Sequence, residues 1–347
     1  MSSARRLRVA ILAGGRSSEH EISLASARSV VGALDPERYE VAEVAIGRDG
    51  RWALEAGPGR SGRALVPGTE PRPAETLPVP AESGTLEAVG TVDVVLPILH
   101  GPFGEDGTVQ GLLELADVPY VGAGVAASAL AMDKDLFKKV MRDSGIPVAA
   151  HHAIRLGDAT ENPFGYPVFV KPARLGSSVG ITKVHAEEEL EAAVELAFRH
   201  DEKVLVEEFV SGVEVECSVL GNEEPIASIP GEIVANSDWY DYSAKYDEGG
   251  MELVIPPRVS QEAIERVQEL SVAAFRATEC EGMARADCFV RDDGEVLVNE
   301  LNTIPGFTAT SVYAKLFEAS GVPYEELLDR LVQLALERHE RRAKLKF

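Results

Sequence analysis

Three cysteines, Cys217, Cys280 and Cys288, are all that the chain carries in 347 residues. None forms a C-x-x-C pair or sits near closely spaced histidines, which argues against a disulfide framework or a thiolate metal cluster and reads as reduced core thiols. Long apolar runs are also missing, since none approaches the ~18 residues that span a bilayer. The start, Arg5-Arg6-Leu7-Arg8 followed by Val9 to Ala13, mimics a signal peptide, but its apolar part stops at Gly14-Gly15. A first buried strand is the better reading, and a soluble, cytoplasmic protein is expected. Basic residues are scarce: 34 Lys and Arg stand against 57 Asp and Glu, a net charge of −23. Sequence-independent nucleic-acid binding and docking on anionic lipid both need an excess of cations, so neither is expected as a main function. An anionic small substrate stays allowed, because local cationic groups can oppose the global field.

What is present is a 45% hydrophobic composition, globular in character and long enough for two or three domains. Val9–Ala13 is a short apolar run ended by a glycine pair, and a helix-compatible segment from about Glu19 to Leu34 follows. Val41–Ile46 and the unbroken apolar run Val92–Leu99 read as further strands, the latter suited to a parallel strand covered on both faces. Strands alternating with helices predict an α/β unit. Arg51 to Gly90 is dense in Pro and Gly and is expected to be a surface excursion with little chemistry of its own. A new unit begins near Gly122, with one helix-compatible stretch from Ala126 to Ser144. Strands follow at Pro167–Lys171, Ile181–Val184, Val204–Val210 and Val215–Leu220, with helices at Glu187–His200 and Gln261–Thr278, a hairpin at Ala284–Asn302 and a helical tail, Pro323–Arg341.

The richest segment is that hairpin. Asp292-Asp293-Gly294 is turn chemistry between two alternating runs. Pairing Arg291 with Gly294 sets Arg285 opposite Glu300 and Asp287 opposite Val298. Alternation then puts Arg285, Asp287, Glu300 and Asn302 on one face. Two carboxylates and an amide are hard oxygen ligands suited to Mg²⁺; a solvent-facing polar side with one ion pair is the alternative. Asn302-Thr-Ile-Pro-Gly306 follows at once and would bring backbone N–H groups beside such a metal.

In the second segment, Lys171 ends a strand and leads into Gly176-Ser177-Ser178-Val179-Gly180, a loop whose small residues let amides approach phosphate oxygens. It lacks the P-loop spacing and precedes a strand, and a plain glycine-rich turn is the other reading. Gly14 to Ser23 is a strand-to-helix turn that can bind an anion, or through Glu19 an ammonium group; a plain turn with Glu21 in the first helical turn is the alternative. His100 to Gly107 lies where a parallel strand ends, the place where α/β sheets expose ligand sites. Trp239, Tyr240, Tyr242 and Tyr246 surround Lys245 in a polar stretch and read either as a water-excluding lid or as a surface cluster.

Taken together these segments resemble the D-alanine–D-alanine ligases of the ATP-grasp superfamily over nearly the whole chain. The resemblance is carried by Gly14-Gly15 with Ser18 to Ser23, His100-Gly101 with Gly104 to Gly107, and Met132-Asp133-Lys134. It is carried further by Val170-Lys171-Pro172 with Gly176 to Gly180, Tyr240 to Tyr246, Arg285-Ala286-Asp287, and Glu300 to Gly306. It implies an α/β (α+β) ATP-grasp protein with a substrate-binding α/β domain at 1–122, a central subdomain at 123–207, and a C-terminal subdomain at 208–347 carrying lid and metal site. The implied reaction phosphorylates the carboxylate of one D-alanine with ATP, and the amine of a second attacks the acylphosphate.

Carried over by motif, Lys134, Lys171, Ser178 and Lys245 would bind ATP phosphates. Glu207 and the backbone at Phe209 and Val210 would meet adenine, and Glu214 the ribose. Asp287, Glu300 and Asn302 would hold two Mg²⁺ (or Mn²⁺) ions. Arg285 and the Gly306 amide would stabilise the tetrahedral oxyanion, typically worth about 3–4 kcal/mol per donor. Glu19 would pair with the first substrate's ammonium and His100 would lie near its carboxylate. Ser177 and Tyr246 would complete a network with Glu19, and Ser311 would bind the second substrate's carboxylate. A homodimer is implied, and a monovalent cation stays open as an activator. Glu208 stands where many relatives carry lysine, and Val312 where leucine is common. Ligases that join D-alanine to D-lactate or D-serine are the nearest rivals, with Tyr246 resembling the dipeptide-forming type. A non-catalytic nucleotide-binding regulator is the rival of another class, opposed by the intact Lys171, Arg285, Asp287, Glu300 and Asn302.

Overall fold

The computed structural model describes residues 5–55, 92–235 and 251–346. The lid stretch with Lys245 and Tyr246, and the excursion beyond residue 55, lie outside these. Packing divides the chain into two compact units, Met1–Val125 with Ile304–Phe347, and Ala126–Thr303.

The first unit is built on strands β1 (Leu7–Gly14), β2 (Tyr39–Ile46), β3 (Trp52–Glu55) and β4 (Val94–Ile98), in the order β3-β2-β1-β4. β1 pairs parallel with both β2 and β4. All five residues of β4 are buried, as its unbroken apolar run demands of a strand covered on both faces. β3 pairs antiparallel with β2, so the first residues of the Pro-rich excursion belong to the sheet, a strand that the sequence reading left out. Helix α1 (His20–Ala33) connects β1 to β2, and α2 (Thr108–Leu115) follows β4. Because the chain leaves β1 for β2 on one side and β4 lies on the other, the C-terminal ends of β1 and β4 flank a topological switch point, where α/β sheets open a crevice. Helices α7 (Val312–Ala319) and α8 (Tyr324–Arg342) pack in this unit. The buried Arg338 of α8 donates to the carbonyls of Tyr120 and Gly122.

The second unit holds two antiparallel sheets. One, in the order β5-β8-β6-β7, comprises β5 (His151–Arg155), β6 (Val168–Pro172), β7 (Thr182–Val184) and β8 (Lys203–Glu208). Helix α5 (Glu187–Phe198) covers it, burying Leu190 and Val194 against Val168, Val170, Val204 and Val206. The other comprises β9 (Val213–Gly221), β10 (Ile226–Ala227), β11 (Gly231–Ala235), β12 (Met251–Val254), β13 (Gly282–Val290) and β14 (Val296–Asn302). Helix α6 (Gln261–Ala277) packs on it, its start capped by Ser260, whose hydroxyl accepts from the Ala263 N–H.

The stretch predicted as one helix from Ala126 to Ser144 is two, α3 (Val125–Met132) and α4 (Lys134–Asp143). Asp133 breaks it: its backbone is extended (φ −87°, ψ 96°) and its carboxylate accepts from the Leu136 N–H, a cap worth about 1 kcal/mol. The three cysteines are buried and unbridged. Burial pushes the Cys217 thiol up to about 11 and Cys288 well above the ordinary range, which makes both inert. Among the described residues no helix is long and apolar enough to cross a membrane.

Candidate active site

The hairpin register differs from the predicted one. Arg285 pairs with Asn302 and Asp287 with Glu300, while Cys288 pairs with Val298, so a bulge leaves Asn299 as an additional residue in β14. The turn is also longer: the Arg291 N–H donates to the Glu295 carbonyl, and Gly294, at φ +86°, donates to Arg291. The two departures compensate. Pairs set by the turn alone would place Glu300 opposite Ala286, on the buried face, and the bulge re-aims it to the side of Asp287. The expected shared face is therefore correct, with different partners.

On that face Arg285 grips Asp287 through two bonds, Nε to Oδ1 at 2.7 Å and Nη2 to Oδ2 at 2.8 Å. Asn302 Nδ2 donates to Asp287 Oδ2 at 3.0 Å. Glu216, unnoticed in the sequence, lies 2.9 Å from Arg285 Nε. It sits on β9 opposite Asp287, a cross-strand position visible only once β9 is known to pair with β13.

Lys134 is the first residue of α4, and its N–H donates to the Ala173 carbonyl, tying the helix start to the end of β6. Its ammonium reaches the Leu175 carbonyl and Glu300 Oε2, both at 3.0 Å. Lys171, at the end of β6, lies 2.5 Å from Glu207 Oε1. Burial alone would raise the Glu207 carboxyl, but Lys138 and Lys171 outweigh it and hold it at about 2. Between β6 and β7 the glycine-serine loop carries two successive left-handed residues, Ser177 (φ +53°) and Ser178 (φ +58°). That conformation is disfavoured for serine and is typical of functional turns.

These residues share one cavity of about 310 Å³, whose walls include Lys134, Lys171, Ser177, Ser178, Glu207, Phe209, Val210, Glu214, Asp287 and Glu300. The volume falls in the range of small-molecule sites. Phe209 is 38% exposed, and its ring stands 6.2 Å from Phe169, with the Lys183 ammonium 4.4 Å from its centre. This apolar end suits a flat aromatic base, the cationic end suits phosphates. Phe169, Lys183 and Asn299 also line the cavity; sequence reading missed them because residues of ordinary strands carry no motif. Glu208 also borders the cavity, its carboxylate accepting from the Ala150 N–H at 2.8 Å and pairing with Arg291.

Asp287, Glu300 and Asn302 form a hard oxygen set of the kind Mg²⁺ takes with one or two carboxylates, water and phosphate completing its shell. Among the described residues no group of three His, Cys, Asp or Glu side chains is placed to hold a metal ion.

In the first unit, Glu19 and His100 lie at the C-terminal ends of β1 and β4. The Ser17 hydroxyl bridges the two loops, donating to the His100 carbonyl at 2.7 Å while accepting from the Glu19 N–H at 3.2 Å. Gly101, at φ +74°, approaches Glu19 so closely that a Cβ there would meet Glu19 Oε2 at 2.6 Å. His100 is buried, its Nδ1 2.9 Å from the Ile304 carbonyl and its Nε2 3.5 Å from Ser26 Oγ. Glu105 accepts from the N–H groups of Gly101 and Ile304 at 2.8 and 2.9 Å. The segment carrying Gly306 is thus fastened beside the crevice. Ser311 is the N-cap residue of α7, and its hydroxyl accepts from the Thr308 N–H at 3.0 Å. Glu19, His100, Gly306 and Ser311 therefore belong to one unit, and Arg285 with the cavity residues to the other.

A glycine-serine loop on one antiparallel sheet and a carboxylate pair on a second, sharing a cavity with three lysines, define an ATP-grasp protein. Residues 8–123 match the family described as D-ala D-ala ligase N-terminus and residues 140–333 that described as D-ala D-ala ligase C-terminus. The chain belongs to the D-alanine–D-alanine ligase family. It is 42% identical over 363 residues to the D-alanine–D-alanine ligase of Oceanobacillus iheyensis, covering 98% of each chain. Among solved structures it is similar to the VanG D-Ala:D-Ser ligase from Enterococcus faecalis, with a TM-score of 0.83 and 36% identity over 95% of this chain and 100% of that one. It is also similar to the D-alanine–D-alanine ligase from Bacillus anthracis complexed with ATP, with a TM-score of 0.77 and 26% identity over 96% and 99%.

Proposed function

We propose that the protein joins two molecules of D-alanine into D-alanyl-D-alanine through a D-alanyl phosphate, with ATP as phosphoryl donor, for peptidoglycan precursor synthesis. The single observation that supports this most is the cavity shared by Lys134, Lys171, Asp287 and Glu300, a set of cations for phosphate beside oxygens for a metal. A carboxylate is a poor acyl donor because its leaving oxide is too basic. Its oxygen attacks the γ-phosphorus, ADP departs, and the acylphosphate now has a good leaving group. The amine of the second D-alanine, having lost a proton, attacks the carbonyl carbon, and inorganic phosphate leaves.

In this reading residues 1–122 bind the first amino acid, with Glu19 on its ammonium and His100 near its carboxylate, while residues 123–207 and 208–347 hold ATP. Lys134, Lys171, Ser178 and Lys245 take the phosphates, Glu207, Phe209 and Val210 the base, and Glu214 the ribose. Asp287, Glu300 and Asn302 would hold Mg²⁺ or Mn²⁺, which neutralises charge developing on the phosphates. Arg285 and the Gly306 amide stabilise the oxyanion, Ser311 binds the second carboxylate, and Ser177 and Tyr246 act with Glu19 in closing the site. The homodimer, the cytoplasmic location and activation by a monovalent cation belong to the same proposal.

The likeness to a D-Ala:D-Ser ligase supports a second reading, in which the incoming nucleophile is D-serine. The test is ATP turnover with Mg²⁺ and D-alanine, alone and with excess D-serine or D-lactate, identifying products by mass. D-alanyl-D-alanine as main product is expected. A mixed dipeptide or depsipeptide would reassign the second substrate, and no amino-acid-dependent ADP would favour a regulatory protein.

A further inference from the structure

Helix α4 places Lys138 one turn beyond Lys134 on the same inward face, but where Lys134 lines the cavity, Lys138 is wholly enclosed, with no exposed surface. Its ammonium lies 2.9 Å from Glu207 Oε2. The other oxygen of that carboxylate, Oε1, lies 2.5 Å from Lys171. One buried anion is thus shared by two lysines, one per oxygen, and of the two only Lys171 borders the cavity. The array carries two positive charges against one negative. Remove the charge of Lys138, and Lys171 and Glu207 become a neutral pair with nothing left over for a ligand.

Fold stability alone does not account for this arrangement. Enclosing an ammonium costs several kcal/mol even when paired, and an apolar side chain of similar size commonly serves a core at least as well. Burial does push the Lys138 ammonium down, opposed by Glu207. What the charge supplies is electrostatic: it satisfies Glu207 from behind, so that Lys171 keeps a net positive charge at the cavity wall. We propose that Lys138 is a positioning residue for nucleotide binding, which neutralises Glu207 from the core side and thereby leaves Lys171 free to attract phosphate. The inference rests on the ligase reading in taking the anion met by Lys171 to be a nucleotide phosphate.

The test is calorimetric titration of the full chain with ADP and Mg²⁺, and separately with adenosine, for the parent, Lys138→Gln, Glu207→Gln and the double variant. Lys138→Gln should weaken ADP binding at least about tenfold, as expected for a close charge coupling, and leave adenosine, which has no phosphate, within about twofold. The double variant should bind ADP within about threefold of Glu207→Gln alone, because without the anion there is nothing for Lys138 to neutralise. An unchanged ADP affinity in Lys138→Gln, an equal loss for adenosine, or a double variant more than about threefold weaker than Glu207→Gln would overturn the proposal. Should Lys138→Gln fail to fold, the double variant, which lacks both buried charges, is compared with Glu207→Gln, and a double variant more than about threefold weaker for ADP overturns the proposal. Dipeptide formation by the parent is followed in parallel: ADP binding without dipeptide overturns the ligase reading but leaves the Lys138 test standing, and no ADP binding overturns both.

Discussion

The ammonium of Lys134 and the carboxylate of Glu300 lie 3.0 Å apart, so a residue proposed for phosphate and one proposed for metal satisfy each other. Binding of a metal nucleotide would exchange this pair for two new ones of the same sign pattern, lysine to phosphate and carboxylate to cation, without leaving either charge uncompensated. Glu300→Gln removes the charge from one side of that exchange. Turnover at ordinary Mg²⁺ should fall at least about tenfold, as for other losses at metal sites. Because Glu300 is only partly buried, the melting temperature should stay near the parent's. Higher Mg²⁺ should recover part of the rate, and near-normal turnover at ordinary Mg²⁺ would remove Glu300 from the metal site.

Gly101 offers a test confined to the other unit. At φ +74° any side chain is strained, and a Cβ would stand 2.6 Å from Glu19 Oε2, well inside contact distance. Gly101→Ala must therefore push the Glu19 carboxylate away or shift the His100 loop. If Glu19 receives the ammonium of the first D-alanine, the KM for that substrate should rise about tenfold, equivalent to roughly 1.4 kcal/mol. The KM for ATP should hold within about twofold. Steady-state kinetics, varying D-alanine at saturating ATP and ATP at saturating D-alanine, separates the two, and an equal rise in both would mean damage to the whole protein instead.

The contrast between hairpin and helix shows which parts of this site could be read from residues alone. Side-chain alternation put Arg285, Asp287, Glu300 and Asn302 on one face because period two is local and robust, yet the partners were wrong, because a bulge at Asn299 and a longer turn leave no mark in the alternation. Asp133 ends one helix and caps the next, but as part of a longer apolar-periodic stretch it reads as an ordinary polar position. Lys138 is further still from legibility: its partner Glu207 is remote in sequence, and a lysine on an amphipathic helix reads as solvent-exposed until β8 is set against α4. The motif residues were found because glycine turns, a lysine ending a strand and clustered carboxylates have local signatures. The groups that support them, Glu216, Lys183 and Lys138, act through tertiary neighbours and have none.

Two buried carboxylates should set the acid limit of the fold. Glu207 and Asp135, ordinarily at 4.5 and 3.8, are each held down at about 2. For Asp135, burial pulls upward and is outweighed by hydrogen bonds from Lys139, His151 and Lys203. Both groups bind protons more weakly in the folded chain than in the unfolded one. Their contribution to stability is therefore complete above about pH 4.5 and is lost as pH falls toward 2. Between those limits unfolding should take up at most about two protons, one on each group. Melting temperatures measured across that range should drop steeply in the parent and less steeply in Asp135→Asn. A variant with the parent's slope would show that Asp135 is not held ionised.

Asp133 joins stability to function. Its carboxylate accepts from the Leu136 N–H at 3.1 Å and from the Lys203 ammonium at 2.6 Å, and the residue after it is Lys134. Asp133→Asn keeps a capping oxygen and loses the charge. Lys203 retains Asp135 at 3.2 Å, so the loss should be modest, about 1–3 kcal/mol. Asp133→Ala loses the cap as well and should fall lower by about 1 kcal/mol. The functional consequence follows from position: an uncapped first turn lets α4 fray where the Lys134 N–H meets the Ala173 carbonyl, and the Lys134 ammonium then loses its fixed place at the cavity wall. The KM for ATP should therefore rise more in Asp133→Ala than in Asp133→Asn, following the order of their melting temperatures. Equal KM values alongside unequal stabilities would show that the helix start plays no part in holding Lys134 for nucleotide binding.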